Sequence, residues 1–166
     1  LMPLTQDIMV SSFGEPLLFP RIDELFSRID RDSGLKMGFF TNLLIMTEEH
    51  AENIVQSGVA YVNLSIDGAT KETYEKIRKG GKWEVLLEKI ELLNEVKKRH
   101  KSKTPIINLC VVGSTLNVEE IPLFVEMAKK YDLASVKYNH NMYVDDEWMD
   151  DLSLVHAQEK TNEMFH

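Results

Sequence analysis

Segments typical of β-strands and segments typical of α-helices alternate along the whole chain. The predicted strands cover residues 7–12, 36–41, 60–66, 105–112 and 135–139, and an amphipathic stretch follows each of the first four. This alternation favours a parallel sheet with crossover helices, because parallel neighbours need a long connection between them. We therefore predict an α/β fold with about five parallel strands, either a partial (β/α) barrel of the TIM type or a doubly wound open sheet.

The amphipathic stretches carry apolar residues at helical spacing. The predicted helices cover residues 22–33, 47–58, 70–78, 83–100 and 118–131. The apolar residues predicted to face the sheet are Ile22, Leu25, Phe26, Ile29, Leu86, Ile90, Leu93, Val96, Ile121, Phe124, Val125 and Ala128. Residues from about 145 onward are acidic and are predicted to form a helical tail.

Size and charge limit the classes of protein to which the chain can belong. With 166 residues, 43% of them hydrophobic, we expect one core and a single domain over residues 1–166. A formal net charge of -8 argues against binding to nucleic acid or to anionic membranes. We find neither an apolar run of the ~18 residues that a membrane helix needs nor a signal peptide, so we expect a cytoplasmic protein.

The chain contains a single cysteine, Cys110, inside an apolar strand. We predict a buried and inert thiol there, and the count excludes both a disulfide and a multi-cysteine metal site within these residues. The histidines share no metal-ligand spacing, and the acidic cluster at 145–151 lacks the spacing of a calcium loop. No metal site is therefore predicted in the chain.

Polar residues stand where four of the predicted strands end, which is the edge that faces ligands in parallel β/α folds. Gly14 and Glu15 follow the first strand, and such a loop suits a cationic amine. Arg78 offers a planar fork for a carboxylate. The neutral groups suited to ribose hydroxyls are those of Thr41, Asn42 and Ser65. Together these groups match an amino-acid nucleoside.

The same residues form an ordered set of motifs. These motifs are Gly14-Glu15-Pro16-Leu17-Leu18, Thr41-Asn42, Ser65-Ile66-Asp67-Gly68, Ile77-Arg78-Lys79-Gly80 and the Asn117…Glu120 pair. In order and spacing they resemble the Gly-Gly-Glu-Pro, Thr-Asn-Gly, Ser-Leu-Asp-Gly, Ile-Arg-x-Gly and Asn-x-x-Glu motifs of the radical S-adenosylmethionine (SAM) superfamily. The resemblance runs from Asp7 to about Asn141, and it implies a partial radical SAM barrel.

The resemblance also implies a role for individual residues. Gly14 and Glu15 would bind the methionyl amine of SAM, Arg78 the methionyl carboxylate, and Ser65 the carboxylate or the ribose. Val112 and the backbone near Tyr138 would border the adenine. The remaining residues of the implied cofactor-binding set are Ser12, Pro16, Thr41, Asn42, Asp67 and Asn117.

The sequence departs from the family at three places. Ser12-Phe13 stands where the family often has Gly-Gly, and Leu43 replaces the Gly after Thr-Asn. The Cys-x-x-x-Cys-x-x-Cys triplet that holds the family's 4Fe-4S cluster is absent from the chain. We therefore expect a fragment that covers strands two to six of the family's core and is inactive by itself.

By the same resemblance, the parent protein would cleave SAM reductively to a 5'-deoxyadenosyl radical, which abstracts hydrogen from a substrate. Its partners would be SAM, an electron donor and an unknown small-molecule or peptide substrate. Two alternatives stay open, a cofactor-free barrel enzyme that uses Glu15 or Asp67 in acid–base catalysis and a non-catalytic module descended from the family. An incomplete barrel also exposes a strand edge, so self-association is expected.

Overall fold

The computed structural model describes residues 7–10, 14–28 and 35–140. Its strands are β1 (Asp7–Val10), β2 (Lys36–Thr41), β3 (Tyr61–Ser65), β4 (Ile106–Gly113) and β5 (Ser135–His140). Its helices are α1 (Ile22–Ser27), α2 (Glu48–Ser57), α3 (Lys71–Ile77), α4 (Trp83–Arg99) and α5 (Ile121–Lys130). Short 3-10 turns cover Pro16–Leu18 and Val118–Glu120.

The five strands form one sheet in the order β1-β2-β3-β4-β5, and every neighbouring pair is parallel. A doubly wound sheet reverses its strand order at a switch point, whereas a barrel adds each strand next to the one before it. The consecutive order therefore selects the partial barrel from the two folds that the sequence allowed. The predicted α/β class and parallel sheet are confirmed.

Local sequence signals fix the ends of the helices. The Thr47 hydroxyl accepts a hydrogen bond from the backbone N–H of His50 at 3.1 Å, so it caps α2 at its start. Gly58 ends the same helix with φ +83°, a left-handed conformation that favours glycine. Thr70 caps α3 in the same way, with a 3.3 Å bond from the N–H of Thr73. These three boundaries lie where the sequence predicts them.

One face of the sheet carries the core, and the helices cover it. Phe39, Val62 and Leu109 lie on this face and are fully buried against helix residues such as Ile90 and Phe124. Burying a side chain of this size stabilises the fold by about 1.5–3 kcal/mol. We call this side of the sheet the helix-covered face. All the residues that α4 was predicted to bury are buried.

Two predicted core residues are exposed instead. Leu25 is 39% exposed and Val125 is 42% exposed, because each lies at the margin of its helix's apolar stripe. In α5 the buried position next to Phe124 and Ala128 is taken by Met127. Helix α1 ends at Ser27, well before residue 33, where its end was predicted.

β1 lies at the edge of the described sheet, and its Ile8 and Met9 side chains are 42% and 46% exposed. Self-association through this edge stays a prediction, as does the single-domain assignment. None of the helices in the described part of the chain combines the length and apolar character needed to cross a bilayer. The predicted acidic tail lies outside the described residues.

Candidate functional site

The loop after β1 is tied to the end of β2 by one carboxylate. Glu15 accepts hydrogen bonds from the Thr41 hydroxyl at 2.6 Å and from the backbone N–H of Asn42 at 2.7 Å. A third, from the N–H of Leu17 at 3.2 Å, makes Glu15 the cap of the 3-10 turn that begins at Pro16. Because charged acceptors make the stronger hydrogen bonds, Glu15 holds two neighbouring loops at a fixed separation.

Thr41 and Leu43 explain the shape of the second loop. Thr41 is 2% exposed, and its hydroxyl both donates to Glu15 and accepts from the N–H of Leu43 at 2.9 Å. Leu43 has φ +64°, the left-handed conformation, and its side chain is fully buried in the core. A glycine would adopt this backbone without steric cost, whereas a leucine is held there by its burial.

Gly14 lies on the open side of the Glu15 loop. Its φ is +133°, a conformation that residues with a side chain rarely adopt, and apart from its chain neighbours no described residue has an atom within 4 Å of the position that a Cβ would take. Backbone strain, and not lack of space, is therefore what favours glycine here. The backbone of Gly14 stays accessible for close approach by a ligand.

Asp67, just after β3, links β4 to Arg78. Its Oδ1 accepts a hydrogen bond from the backbone N–H of Val112 at 2.8 Å, and its Oδ2 lies 2.6 Å from Nη2 of Arg78. The carboxylate is buried, whereas the Arg78 side chain is 34% exposed. Asp67 thus fixes one arm of the Arg78 guanidinium.

Asn117 joins the ends of β3, β4 and β5. Its Nδ2 donates to the carbonyl oxygens of Asp67 and Val112, both at 2.9 Å. Its Oδ1 accepts from the N–H of Ser114 at 2.8 Å and from the Tyr138 hydroxyl at 2.9 Å. A side-chain amide has two N–H donors and two lone pairs, so the fully buried Asn117 uses its whole hydrogen-bonding capacity.

Tyr138 reaches Asn117 from the helix-covered face. Burial raises the pKa of Tyr138 to about 12, which keeps its hydroxyl protonated and able to donate. Gly113 leaves the room that the ring needs, since a Cβ there would lie 2.4 Å from a ring carbon of Tyr138. The Tyr138 side chain therefore supports the site from behind, and only its backbone lies at the sheet edge.

Glu120 fixes the loop between β3 and α3. Its carboxylate accepts from the N–H of Ala69 and from the Thr70 hydroxyl, both at 2.7 Å. The sequence predicted Glu120 only as part of the Asn-x-x-Glu motif that opens a helix. Its contacts show that it also holds the turn that leads from Asp67 towards Arg78.

Several groups at this edge have no partner within the described residues. The Ser65 hydroxyl makes no hydrogen bond there, the Nε of Arg78 is buried without a partner, and the apolar Val112 side chain is 42% exposed. A free hydroxyl, a partly exposed guanidinium group and an apolar surface suit the ribose, carboxylate and base of an amino-acid nucleoside. The residues present therefore fit SAM.

The same residues do not fit an iron-sulfur cluster. The whole sequence offers one thiol, and Cys110 is buried in β4 with its pKa raised by that burial. No group of three or more His, Cys, Asp or Glu side chains that could hold a metal ion occurs in residues 7–10, 14–28 and 35–140. The prediction of a buried Cys110 is confirmed.

Comparison with known proteins decides the family. The family described as the Radical SAM superfamily matches residues 5–128, which is well over half of the chain. The chain belongs to the radical SAM superfamily. Members of this family use SAM and a 4Fe-4S cluster.

Curated relatives support the same assignment. The AdoMet-dependent heme synthase of Methanosarcina barkeri is 37% identical over 134 residues, which are 80% of this chain and 35% of the relative. A GTP 3',8-cyclase of Clostridium botulinum is 27% identical over 121 residues, which are 73% of this chain and 36% of the relative. The chain thus spans about a third of the length of these radical SAM relatives.

Solved structures of other proteins show the same fold. Streptococcus suis SuiB bound to S-adenosylmethionine matches 95% of this chain and 34% of its own, with a TM-score of 0.65 and 17% identity. A native anSMEcpe with bound AdoMet and the Cp18Cys peptide matches 90% of this chain and 43% of its own, with a TM-score of 0.60 and 20% identity. At this level of identity the likeness concerns the fold alone.

The structure brings most of the predicted site residues to one edge. Gly14, Asn42, Ser65, Arg78 and Val112 lie at the strand ends with accessible groups, whereas Thr41, Asp67 and Asn117 are buried and bonded within the protein. Ser12 lies outside the described residues. Sequence reasoning missed a second group of polar residues around Asn63 and Asn108, which the structure pairs across β3 and β4.

Proposed function

We propose that this chain is the SAM-binding part of a radical SAM enzyme whose whole protein generates a 5'-deoxyadenosyl radical for hydrogen abstraction. Bound SAM supplies the adenosyl group, and the residues of this chain hold and orient it. The observation that carries the proposal is the convergence of the Glu15 loop, Ser65, the Asp67–Arg78 pair and Val112 at one edge of the sheet.

Contacts to SAM can be assigned by chemistry. The backbone of Gly14 and the carboxylate of Glu15 would accept hydrogen bonds from the methionyl amine, since a carboxylate oxygen can accept more than one. Arg78 would bind the methionyl carboxylate with the donors that Asp67 does not use. The Ser65 hydroxyl suits the carboxylate or the ribose, and the exposed Val112 side chain suits one face of the adenine.

The buried members of the predicted set would act as positioning residues. Thr41 and Glu15 hold the first two loops together, and Asp67 orients Arg78. Asn117 holds the backbone of Val112 and of Ser114 through its side-chain amide. Such preorganisation supports tight binding, because the loops need not be ordered when the ligand arrives.

Acid–base catalysis without a cofactor is supported less well. Glu15 already accepts three hydrogen bonds, and Asp67 is buried in an ion pair with Arg78. A general acid or base must be free to take or give the substrate's proton, and these bonds instead hold both carboxylates in positioning roles.

The isolated chain should be inactive, because one cysteine cannot replace the three thiolates that hold the cluster. The substrate of the whole protein stays open. Two relatives carry the names of a heme synthase and a GTP cyclase, and one neighbouring structure contains a precursor peptide, SuiA. An electron donor and a cytoplasmic location stay predictions.

The test of the proposed activity uses the full-length protein that contains this chain. After anaerobic cluster reconstitution, reductant and SAM are added and 5'-deoxyadenosine is quantified by chromatography. We expect reductant-dependent formation of 5'-deoxyadenosine. A full-length protein that binds no iron and leaves SAM intact would instead be the non-catalytic module descended from the family.

A second experiment tests the contact assigned to Arg78. Losing a hydrogen bond to a charged group costs about 1.5–3 kcal/mol, so Arg78→Gln should weaken SAM binding by about 10- to 150-fold. Decarboxylated SAM lacks the group that Arg78 would bind, so its affinity should be lower in the parent and change much less on substitution. Calorimetry measures both ligands.

The matched control is Arg21→Gln, which makes the same change of charge at an exposed residue paired with Glu24. This variant should bind both ligands as the parent does. If Arg78→Gln weakened SAM and decarboxylated SAM equally, the arginine would act only through Asp67, and the assigned carboxylate contact would be wrong.

A further inference from the structure

The face of the sheet opposite the helices carries a cluster of polar side chains. The strand register places Asn63 beside Asn108, and Cys110 beside Lys137. Ser135 and Lys137 alternate with the core residue Val136, so they point away from the helices. We call this cluster the polar face; its members are Asn63, Asn108, Cys110, Ser135 and Lys137.

Hydrogen bonds hold the polar face together. The fully buried Asn63 accepts at Oδ1 from Nδ2 of Asn108 at 3.1 Å and from Nζ of Lys137 at 3.4 Å. Asn108 in turn accepts from the Ser135 hydroxyl at 2.8 Å. Because buried amides are costly unless they are bonded, this arrangement fixes the Asn63 oxygen as an acceptor for the lysine.

Lys137 is the one charged member of the cluster, and it has no counter-ion there. Its side chain is exposed, and no carboxylate lies within 4.0 Å of its Nζ among the described residues. An ammonium has three donors, and Asn63 takes one of them. The other two N–H donors of Lys137 therefore point away from the Asn63 and Asn108 amides, towards the space in front of the sheet.

The charge of Lys137 acts on this face. It lowers the pKa of the Cys110 thiol, against the larger effect of burial, which raises it. The register places Ser65, Cys110 and Lys137 in one row across β3, β4 and β5. Strands lie ~4.8 Å apart, so Lys137 is roughly 10 Å from Ser65 and thus beside the proposed SAM site.

From this geometry we infer that Lys137, set on Asn63, binds an oxyanion of the enzyme's substrate, a carboxylate or a phosphate group, next to the bound SAM. The inference rests on the proposed function, because it takes the same edge of the sheet as the place where SAM and substrate meet. The methionyl carboxylate of SAM is assigned to Arg78, so the oxyanion at Lys137 belongs to a second molecule.

A lysine on the surface of a sheet can have one of two roles. A lysine that only covers apolar surface lays its stem on neighbouring side chains and leaves its ammonium in water. Lys137 instead points its ammonium at a buried amide oxygen of Asn63, which also accepts from Asn108, itself bonded to Ser135. A cation held in this way is preorganised to bind an anionic ligand.

The experiment measures the reactivity of Lys137 in the full-length, cluster-containing protein. An amine-acetylating reagent is applied at constant ionic strength, with potassium chloride as the reference salt or with pyrophosphate, tricarballylate or SAM as the ligand. Acetylation of each lysine is followed by mass spectrometry. At a ligand concentration ten times its Kd, acetylation of Lys137 should slow by about tenfold. Lys98, exposed on α4, is the internal control and should not respond.

Pyrophosphate and tricarballylate distinguish the two sources of the oxyanion. Protection by pyrophosphate assigns a phosphate-bearing substrate, and protection by tricarballylate assigns a carboxylate-bearing one. Protection by neither would overturn the inference. Protection by SAM alone would overturn it too, because Lys137 would then belong to the methionine site.

A pair of variants supplies an independent measurement. Calorimetric titration with the protecting anion should show binding to Lys98→Gln and its loss in Lys137→Gln, although both remove one positive charge. Unchanged binding to Lys137→Gln refutes the site. Formation of 5'-deoxyadenosine is measured on the same wild-type sample, so a failure of the proposed function is seen separately from a failure at Lys137.

Discussion

Replacing Asn117 with alanine removes four hydrogen bonds at the ends of three strands. The groups that lose a partner are the carbonyl oxygens of Asp67 and Val112, the N–H of Ser114 and the hydroxyl of Tyr138. Each buried group left without a partner costs about 1–3 kcal/mol. Because water can reach the half-buried groups, we expect a loss of about 3–5 kcal/mol in the free energy of unfolding, not the full sum.

Asn117→Asp tests the direction of the hydrogen bonds. The carboxyl group keeps the shape of the amide but replaces its two donors with an oxygen that faces two carbonyl oxygens. Burial should raise its pKa above the ordinary value of about 3.9, because only the protonated form can donate. The free energy of unfolding of the Asn117→Asp variant should therefore be highest at low pH and should fall as the pH rises through the folded-state pKa of this carboxyl group.

Urea unfolding of the 166-residue chain, followed by circular dichroism, measures both variants. Asn139→Ala is the matched control, since Asn139 lies exposed on β5 and should change stability by less than about 0.5 kcal/mol. An Asn117→Ala protein within about 1 kcal/mol of wild type would refute the reasoning, because the four bonds would then add little to the bonds made with water.

Two further predictions concern neighbours of the site. Tyr138→Phe should remove from the ultraviolet absorbance titration the component with a pKa of about 12; its persistence would assign that pKa to another tyrosine. Since this pKa is raised from an unfolded value of about 10, the wild type should lose stability between about pH 10 and 12, and the variant should lose less. Leu43→Gly should destabilise the chain less than Leu43→Ala by about 1 kcal/mol, because alanine keeps the cost of φ +64° while both variants lose the buried side chain. Urea unfolding of the two Leu43 variants checks this order, and the reverse order would contradict it.

Much of the fold could be predicted because its signals are local. The caps at Thr47 and Gly58 and the apolar stripe of α4 depend only on residues close in sequence. Leu25 and Val125 were predicted wrongly, because periodicity locates an apolar stripe but not its margins. The family motifs predict which edge of the sheet binds the ligand, and this stays a prediction.

The roles within the site could not be predicted, since they depend on contacts between distant residues. The sequence gives no sign that Glu15 is bonded to Thr41, or that Asn117 bridges three strands. The polar face was missed for the same reason. Asn63 and Asn108 each precede a leucine in a largely apolar strand, and this shared context was the available signal, but only the register places them side by side.

The consecutive strand order has a consequence for how the chain folds during synthesis. Each strand pairs with the one made just before it, so no later segment has to insert between two strands that are already paired. A nascent chain that leaves the ribosome can therefore dock its β–α units one after another, and each new pairing closes only the single connection between two consecutive strands. At every stage the most recently added strand has an unpaired edge, to which the next strand will bind. Until then the same edge can pair with a strand of a neighbouring nascent chain. Slow translation just after a strand would prolong the time for which that strand's edge is unpaired. The rate of synthesis would therefore affect how often neighbouring nascent chains on one polysome pair with each other.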